Sequence, residues 1–229
     1  MEYVEVARAE SPRGEVVLRE RRDPECGENA PCVLELRVNG VFVMDTLETS
    51  SEKGLATAAL RQVDEPREVL VGGLGLGFTV HEVLADQRVE RLVVVEIEDA
   101  LVQWMREGTV PHGPAYLADE RVSVVTADIR VAIGEARPAS YDLVLLDVDN
   151  GPGFLVHDDN AAVYQREFLE QLASCLRHGG ALVIWSAAES PTLAAEMRDV
   201  FGDAVAVPYD VNLQSRDEQY WIYLSRRQV

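Results

Sequence analysis

The sequence is poor in basic residues. Lysine and arginine number 21 against 40 aspartates and glutamates, a formal charge of −19, and Lys53 is its only lysine. Phosphate backbones and anionic bilayers are gripped by basic faces, so neither nucleic acid nor a membrane surface is expected as a partner. Cysteines are few: Cys26, Cys32 and Cys175. An odd, sparse set is no disulfide framework and suits a reducing cytoplasm. Cys26 and Cys32 flank ECGENAPC and could close a small loop; without a second Cys or His pair at zinc spacing, no metal is expected. No stretch reaches the ~18 apolar residues of a membrane span. The start, MEYVEVARAESPRGE, does not show a basic start followed by an apolar run, so no signal peptide is expected. Repeats and low-complexity tracts are absent. What remains is a cytoplasmic chain of 229 residues, 47% hydrophobic and 27% charged, which suits one packed domain with a small appendage.

The pattern of apolar residues divides the chain in two. GEVVLRE (14–20) and VLELRV (33–38) alternate with period two, and Asn39-Gly40 is a hairpin signal from which 41–44 returns. Residues 1–50 therefore read as an antiparallel β appendage, and 51–229 as a separate α/β domain. Thr49 to Ser51 offer caps for an amphipathic helix over 52–63. From Arg67 onward, apolar runs at 69–71, 92–95, 122–125, 143–146 and 181–185 alternate with helical segments such as 79–85, 100–107 and 160–176. Unbroken β-branched runs separated by helices predict a doubly wound, mostly parallel sheet. The last two runs, 204–208 and 220–224, stand too close for a crossover helix and predict an antiparallel hairpin. Seven strands result.

Acidic residues and glycines cluster at the predicted strand ends. VLVGGLGLGF (69–78) carries a strand into Gly73-x-Gly75-x-Gly77 and then a helix, which lets backbone approach a ligand at the helix N-terminus. Phe78 replaces the third dinucleotide glycine, favouring an S-adenosyl nucleoside over NAD. Glu96 ends the next strand about twenty residues on, where a carboxylate can accept both ribose hydroxyl protons; Ile97 stands beside it, and Glu98 favours the N-terminus of the next helix. Asp128 ends the third strand, where it can accept from an adenine amino group next to the apolar Ile129, although an isolated Asp there more often caps a helix. The fourth strand empties Asp147, Asp149 and Asn150 into a Gly/Pro loop. Asp147 is the candidate for the reaction centre, able to take a proton from an incoming nucleophile. Asp149 reads equally as a turn former. Asp142, at the other end of that strand, reads as structural. His157 could serve as a base, though a lone loop histidine is more often polar surface.

Together VLVGGLGLG, VVVEIEDALVQW, RVSVVTADIR, YDLVLLDVDNGPG and VYQREFLEQLASCLRHGGALVIW resemble the spermidine synthase family, a branch of the class I S-adenosylmethionine-dependent methyltransferase fold. The resemblance covers 67–186 and, more weakly, LRVNGVFVMDT. It implies a Rossmann-like methyltransferase sheet. It assigns Gly73, Gly75 and Gly77 with Leu76 to the sulfonium-nucleoside loop, Glu96 to ribose and Asp128 to adenine. Asp147 matches the acid that assists deprotonation of the attacking amine, and Tyr164 a substrate-facing tyrosine. Asn150 and His157 fall where acceptor contacts are expected.

The departures are specific. Leu76 stands where the family carries an Asp that holds the donor's aminopropyl ammonium. Asn150 replaces the second Asp of the gating loop, and SSEKGLATAAL lacks the usual aromatic and His contacts. An unpartnered ammonium in a dry pocket is costly. The leading expectation is therefore methyl transfer from S-adenosylmethionine to a small nucleophile. The alternative is aminopropyl transfer from decarboxylated S-adenosylmethionine to a polyamine, for which the acidic loop argues. A non-catalytic nucleoside-binding homologue is a further alternative. Exposed edges of the β appendage make a homodimer the expected assembly.

Overall fold

A computed structural model of the protein describes residues 2–22, 32–214 and 216–228. Cys26, and with it any loop closed by Cys26 and Cys32, lies outside the described residues. Among those described, no helix is long and apolar enough to cross a membrane.

Four strands open the chain: β1 (Glu2–Ser11), β2 (Gly14–Arg22), β3 (Val33–Val38) and β4 (Val41–Asp45). They pair antiparallel in that order as one sheet. The Asn39-Gly40 turn forms as its residue types require, with Asn39 at φ 51° and Gly40 at φ 75°. β1 is the strand that the pattern at 2–11 did not announce. It is an edge strand with mostly exposed side chains, so no burial contrast marks it in the sequence.

Helix α1 (Ser50–Leu60) leads into β5 (Glu68–Gly72), α2 (Phe78–Ala85), β6 (Arg91–Glu96), α3 (Asp99–Glu107), α4 (Gly113–Leu117), β7 (Val122–Thr126), α5 (Ile129–Glu135) and β8 (Tyr141–Leu146). After a 3₁₀ turn, Asp158–Tyr164, come α6 (Arg166–Cys175), β9 (Leu176–Ser186), α7 (Pro191–Phe201), β10 (Val205–Leu213) and β11 (Arg216–Arg226). The second sheet runs β10-β11-β9-β8-β5-β6-β7. Strands β5 to β9 are mutually parallel and β11 joins antiparallel to both β9 and β10. This is the doubly wound seven-stranded sheet with a terminal hairpin that the apolar runs predict.

The central strands are dry. Val69, Leu70, Val71 and Leu143 to Leu146 are all within 1% of full burial, each contributing about 1.5–3 kcal/mol. Asp142 behaves as the structural residue expected: it accepts from the Glu68 amide and from Arg177, both at 2.8 Å. One expectation fails. The helix over 160–176 breaks at Gln165, which is extended (φ −88°, ψ 156°). Its first part tightens to 3₁₀, and the strand starts at Leu176 instead of residue 181. Gly180 makes this early start workable, because a Cβ there would meet the Asp142 carbonyl oxygen at 2.8 Å.

Order reverses between β5 and β8, whose neighbours run outward in opposite directions. A crevice opens at the carboxyl ends of strands at such a point. Val16, Leu18, Leu36 and Met44 of the first sheet share a core with Leu74, Leu76 and Leu101, so that sheet roofs the crevice.

Candidate active site

The glycine loop is fixed from both sides. The Gly73 amide donates to Val95 O and the Asp147 amide to Gly72 O, each at 2.8 Å. Gly73 has φ 93°, and a Cβ there would stand 2.0 Å from the Asp147 carbonyl oxygen. Only glycine allows the two strand ends to close this tightly. Gly77, also at positive φ, ends the loop directly before α2.

A cavity of about 920 Å³, counted with its mouth, lies over this loop. Of the residues singled out in the sequence, Gly73, Gly75, Glu96, Ile97, Asp128, Ile129, Asp147, Asp149 and His157 line it. Leu76, Gly77, Asn150 and Tyr164 do not.

Leu76 corrects the expectation that it contacts the donor. Its side chain is wholly buried in the core, its amide meets Met44 Sδ at 3.2 Å, and a ring nitrogen of His112 lies 2.7 Å from its carbonyl oxygen. An apolar side chain at that place turns inward. Tyr164 is likewise not presented to the cavity. It is 5% exposed, and its hydroxyl donates to Val148 O at 2.6 Å, pinning the strand end from beneath. The Asn150 carbonyl accepts from the Ala187 amide.

Glu96 is buried and holds the wall together: Oε2 accepts from the Leu74 amide and Oε1 from the Glu98 amide, both at 2.8 Å. Burial raises its pKa. Asp128 combines two roles that the sequence offered as alternatives. It caps α5 through the Arg130 amide at 2.8 Å, and it faces the cavity. The Arg130 side chain holds its carboxyl below the usual range.

At the end of β8, Asp147 accepts a 2.6 Å hydrogen bond from Thr79 Oγ1. Burial lifts its pKa to about 6 against the Thr79 bond, which lowers it. Glu52, in the first turn of α1, is 8% exposed and takes the Ser51 hydroxyl at 2.9 Å. Burial, and then the charge of Asp147, push Glu52 up to about 8. A neutral carboxyl thus stands near an ionised one at pH 7. Sequence reasoning missed Glu52 and Thr79 because both sit in helices, away from the strand ends where it searched.

Asp149 adopts φ 60° and organises the loop that follows. Its Oδ1 accepts from the Asn150 and Val156 amides at 2.7 Å, and its Oδ2 from Asn160 Nδ2 at 2.5 Å. His157 Nε2 lies 3.2 Å from Asn39 Nδ2 in the first sheet. Arg13, at the β1–β2 turn, also lines the cavity and was not foreseen. Five carboxyl groups therefore face one cavity whose apolar faces are Ile97 and Ile129. That donor set fits a nucleoside carrying positive charge. Among the described residues, no group of three or more His, Cys, Asp or Glu is placed to hold a metal ion.

The profile of the spermine/spermidine synthase domain matches residues 48–203. Polyamine aminopropyltransferase 2 of Pseudomonas aeruginosa is 37% identical over 134 residues, 57% of this chain and 36% of that protein. Putrescine N-methyltransferase 3 of Nicotiana tabacum is 32% identical over 133 residues, 57% of this chain and 32% of that protein. These matches span about a third of the curated relatives' length. The crystal structure of spermidine synthase from Thermotoga maritima superposes with a TM-score of 0.75 at 15% identity, over 98% of this chain and 73% of that one.

Proposed function

The chain belongs to the spermine/spermidine synthase family, and from that premise we propose that it transfers an aminopropyl group from decarboxylated S-adenosylmethionine to an amine such as putrescine. The observation that carries this reading is the half-buried Asp147, oriented by Thr79 at 2.6 Å and lining a cavity faced by five carboxyl groups. The Pseudomonas aeruginosa relative supports aminopropyl transfer ahead of the methyl transfer expected from the sequence.

Glu96 and Asp128 are the residues to hold the sugar and base of the donor nucleoside, with Ile97 and Ile129 against the base. The bound donor supplies a carbon made electrophilic by its sulfonium. The acceptor nitrogen must present a lone pair, so it must give up a proton. Asp147, ionised above about pH 6, is more basic than an ordinary carboxylate and takes that proton. Glu52, neutral up to about pH 8, adds no second negative charge beside it and can donate a hydrogen bond. When nitrogen bonds to the propyl carbon, the carbon–sulfur bond breaks and sulfur keeps the electron pair. Methylthioadenosine leaves, and the proton rests on Asp147.

Methyl transfer from S-adenosylmethionine is a second reading, favoured by one observation. Leu76 lies in the core, so the glycine loop offers no carboxylate to a terminal ammonium. Calorimetric titration with both donors separates the readings. Aminopropyl transfer predicts tighter binding of the decarboxylated donor, and preference for the carboxylated donor overturns it.

A further inference from the structure

Arg13 faces a wall that carries Glu96, Glu98, Asp128, Asp147 and Asp149, and no other lysine or arginine among the described residues lines that cavity. Its turn is fixed. Asn39 Nδ2 meets the Arg13 carbonyl oxygen at 3.1 Å, and Asn39 Oδ1 accepts from the Glu15 amide at 3.0 Å. The guanidinium is held at one corner, where Nη2 donates to Asn160 Oδ1 at 3.2 Å. Nε stands 3.5 Å from Glu98 Oε1, within ion-pair range. Yet Nε is buried and has no hydrogen-bond acceptor among the described residues. A buried donor left without a partner is costly, and native proteins keep few of them.

The chemistry of the wall says what reaches this donor. A ribose hydroxyl has one proton to give and lone pairs to be met. A carboxylate oxygen accepts that proton but cannot serve the lone pairs. Arg13 stands beside Glu98 and lines the same cavity as Glu96, the acid assigned to the sugar.

We propose that Arg13 is a donor-recognition residue whose buried Nε–H bonds a hydroxyl oxygen of the bound nucleoside's ribose. This rests on the nucleoside reading given above. The contact also reaches the reaction loop, because Asn160 bonds both Arg13 and Asp149.

The test is calorimetric titration with 5′-methylthioadenosine and its 2′-deoxy and 3′-deoxy counterparts. It compares the unaltered protein with Arg13→Met, which keeps a long apolar stem, and with Arg13→Lys, which keeps the charge. The unaltered protein is expected to favour the ribonucleoside over one deoxy counterpart by about tenfold or more, as for a charged hydrogen bond. Arg13→Met is expected to erase that preference while binding the same deoxy counterpart as before, and Arg13→Lys to restore it at most in part. Equal losses for all three nucleosides, or no loss, overturn the proposal. If both variants bind the nucleosides as the unaltered protein does, this inference falls alone. If the unaltered protein binds none of them, the nucleoside reading falls and this inference with it.

Discussion

Two carboxyl side chains carry the chemistry proposed here, and they differ in what their charge does. Asp147 must be ionised to take a proton. Asp147→Asn keeps the Thr79 contact and the shape but removes the base, so turnover is expected to fall about 10²–10⁴-fold while donor affinity, read by calorimetry, stays. Retained turnover would remove Asp147 from the reaction. Glu52 is different, because its ionisation is unfavourable in the fold. Its carboxyl has an ordinary value of 4.5 and is pushed to about 8 in the folded chain. Between those values the folded state holds more protons than the unfolded state, so stability falls as pH rises through that window. Glu52→Gln cannot ionise. Its melting temperature relative to the unaltered protein is expected to rise by roughly 10 °C between pH 5 and pH 8.5, at about 2–4 °C per kcal/mol for a chain of this size. A difference that does not change with pH would contradict the burial of an ionisable Glu52. Neither Glu52 nor Thr79 was legible beforehand, since their approach to Asp147 depends on how α1 and α2 pack against the end of β8. Glu96 and Asp128 were legible, because a polar residue ending an apolar run is marked in one dimension.

At the scale of elements, the glycine loop and the strand-end acids can be read from sequence because each lies within one strand and its following turn. The segment after β8 could not. Its shape depends on Asp149 gathering the Asn150 and Val156 amides and the Asn160 side chain, contacts that carry no periodic signature. The same segment explains why the expected helix over 160–176 breaks. Residues 158–164 serve this loop, and the regular helix begins only after Gln165. Tyr164 anchors it from below through Val148 O. Tyr164→Phe leaves that carbonyl without its partner at a cost of about 1 kcal/mol. The expected result is lower stability in urea and a kcat reduced more than donor affinity, because the loop rather than the nucleoside wall is loosened. A kcat that matches the unaltered enzyme would show that the anchor does not reach the reaction.

Over the whole molecule, the order of the sheets places every part of the site. The reversal between β5 and β8 opens the crevice, the terminal hairpin closes the far edge, and the first sheet supplies the roof. Apolar runs alone announced the second sheet. The roof was partly legible: two of its strands alternate and a third returns from the Asn39-Gly40 turn, while β1 is an exposed edge without a burial pattern, and its turn delivers Arg13 to the cavity. What no composition or pattern conveys is the acceptor, because the side of Asp147 nearest Glu52 is assembled from distant helices. Product analysis therefore tests the account most directly. The purified protein is incubated with decarboxylated S-adenosylmethionine and putrescine, and the products are read by mass spectrometry. The account predicts methylthioadenosine and an aminopropylated amine in equal amounts. Silence with this pair, with a methylated amine formed from S-adenosylmethionine instead, would contradict it.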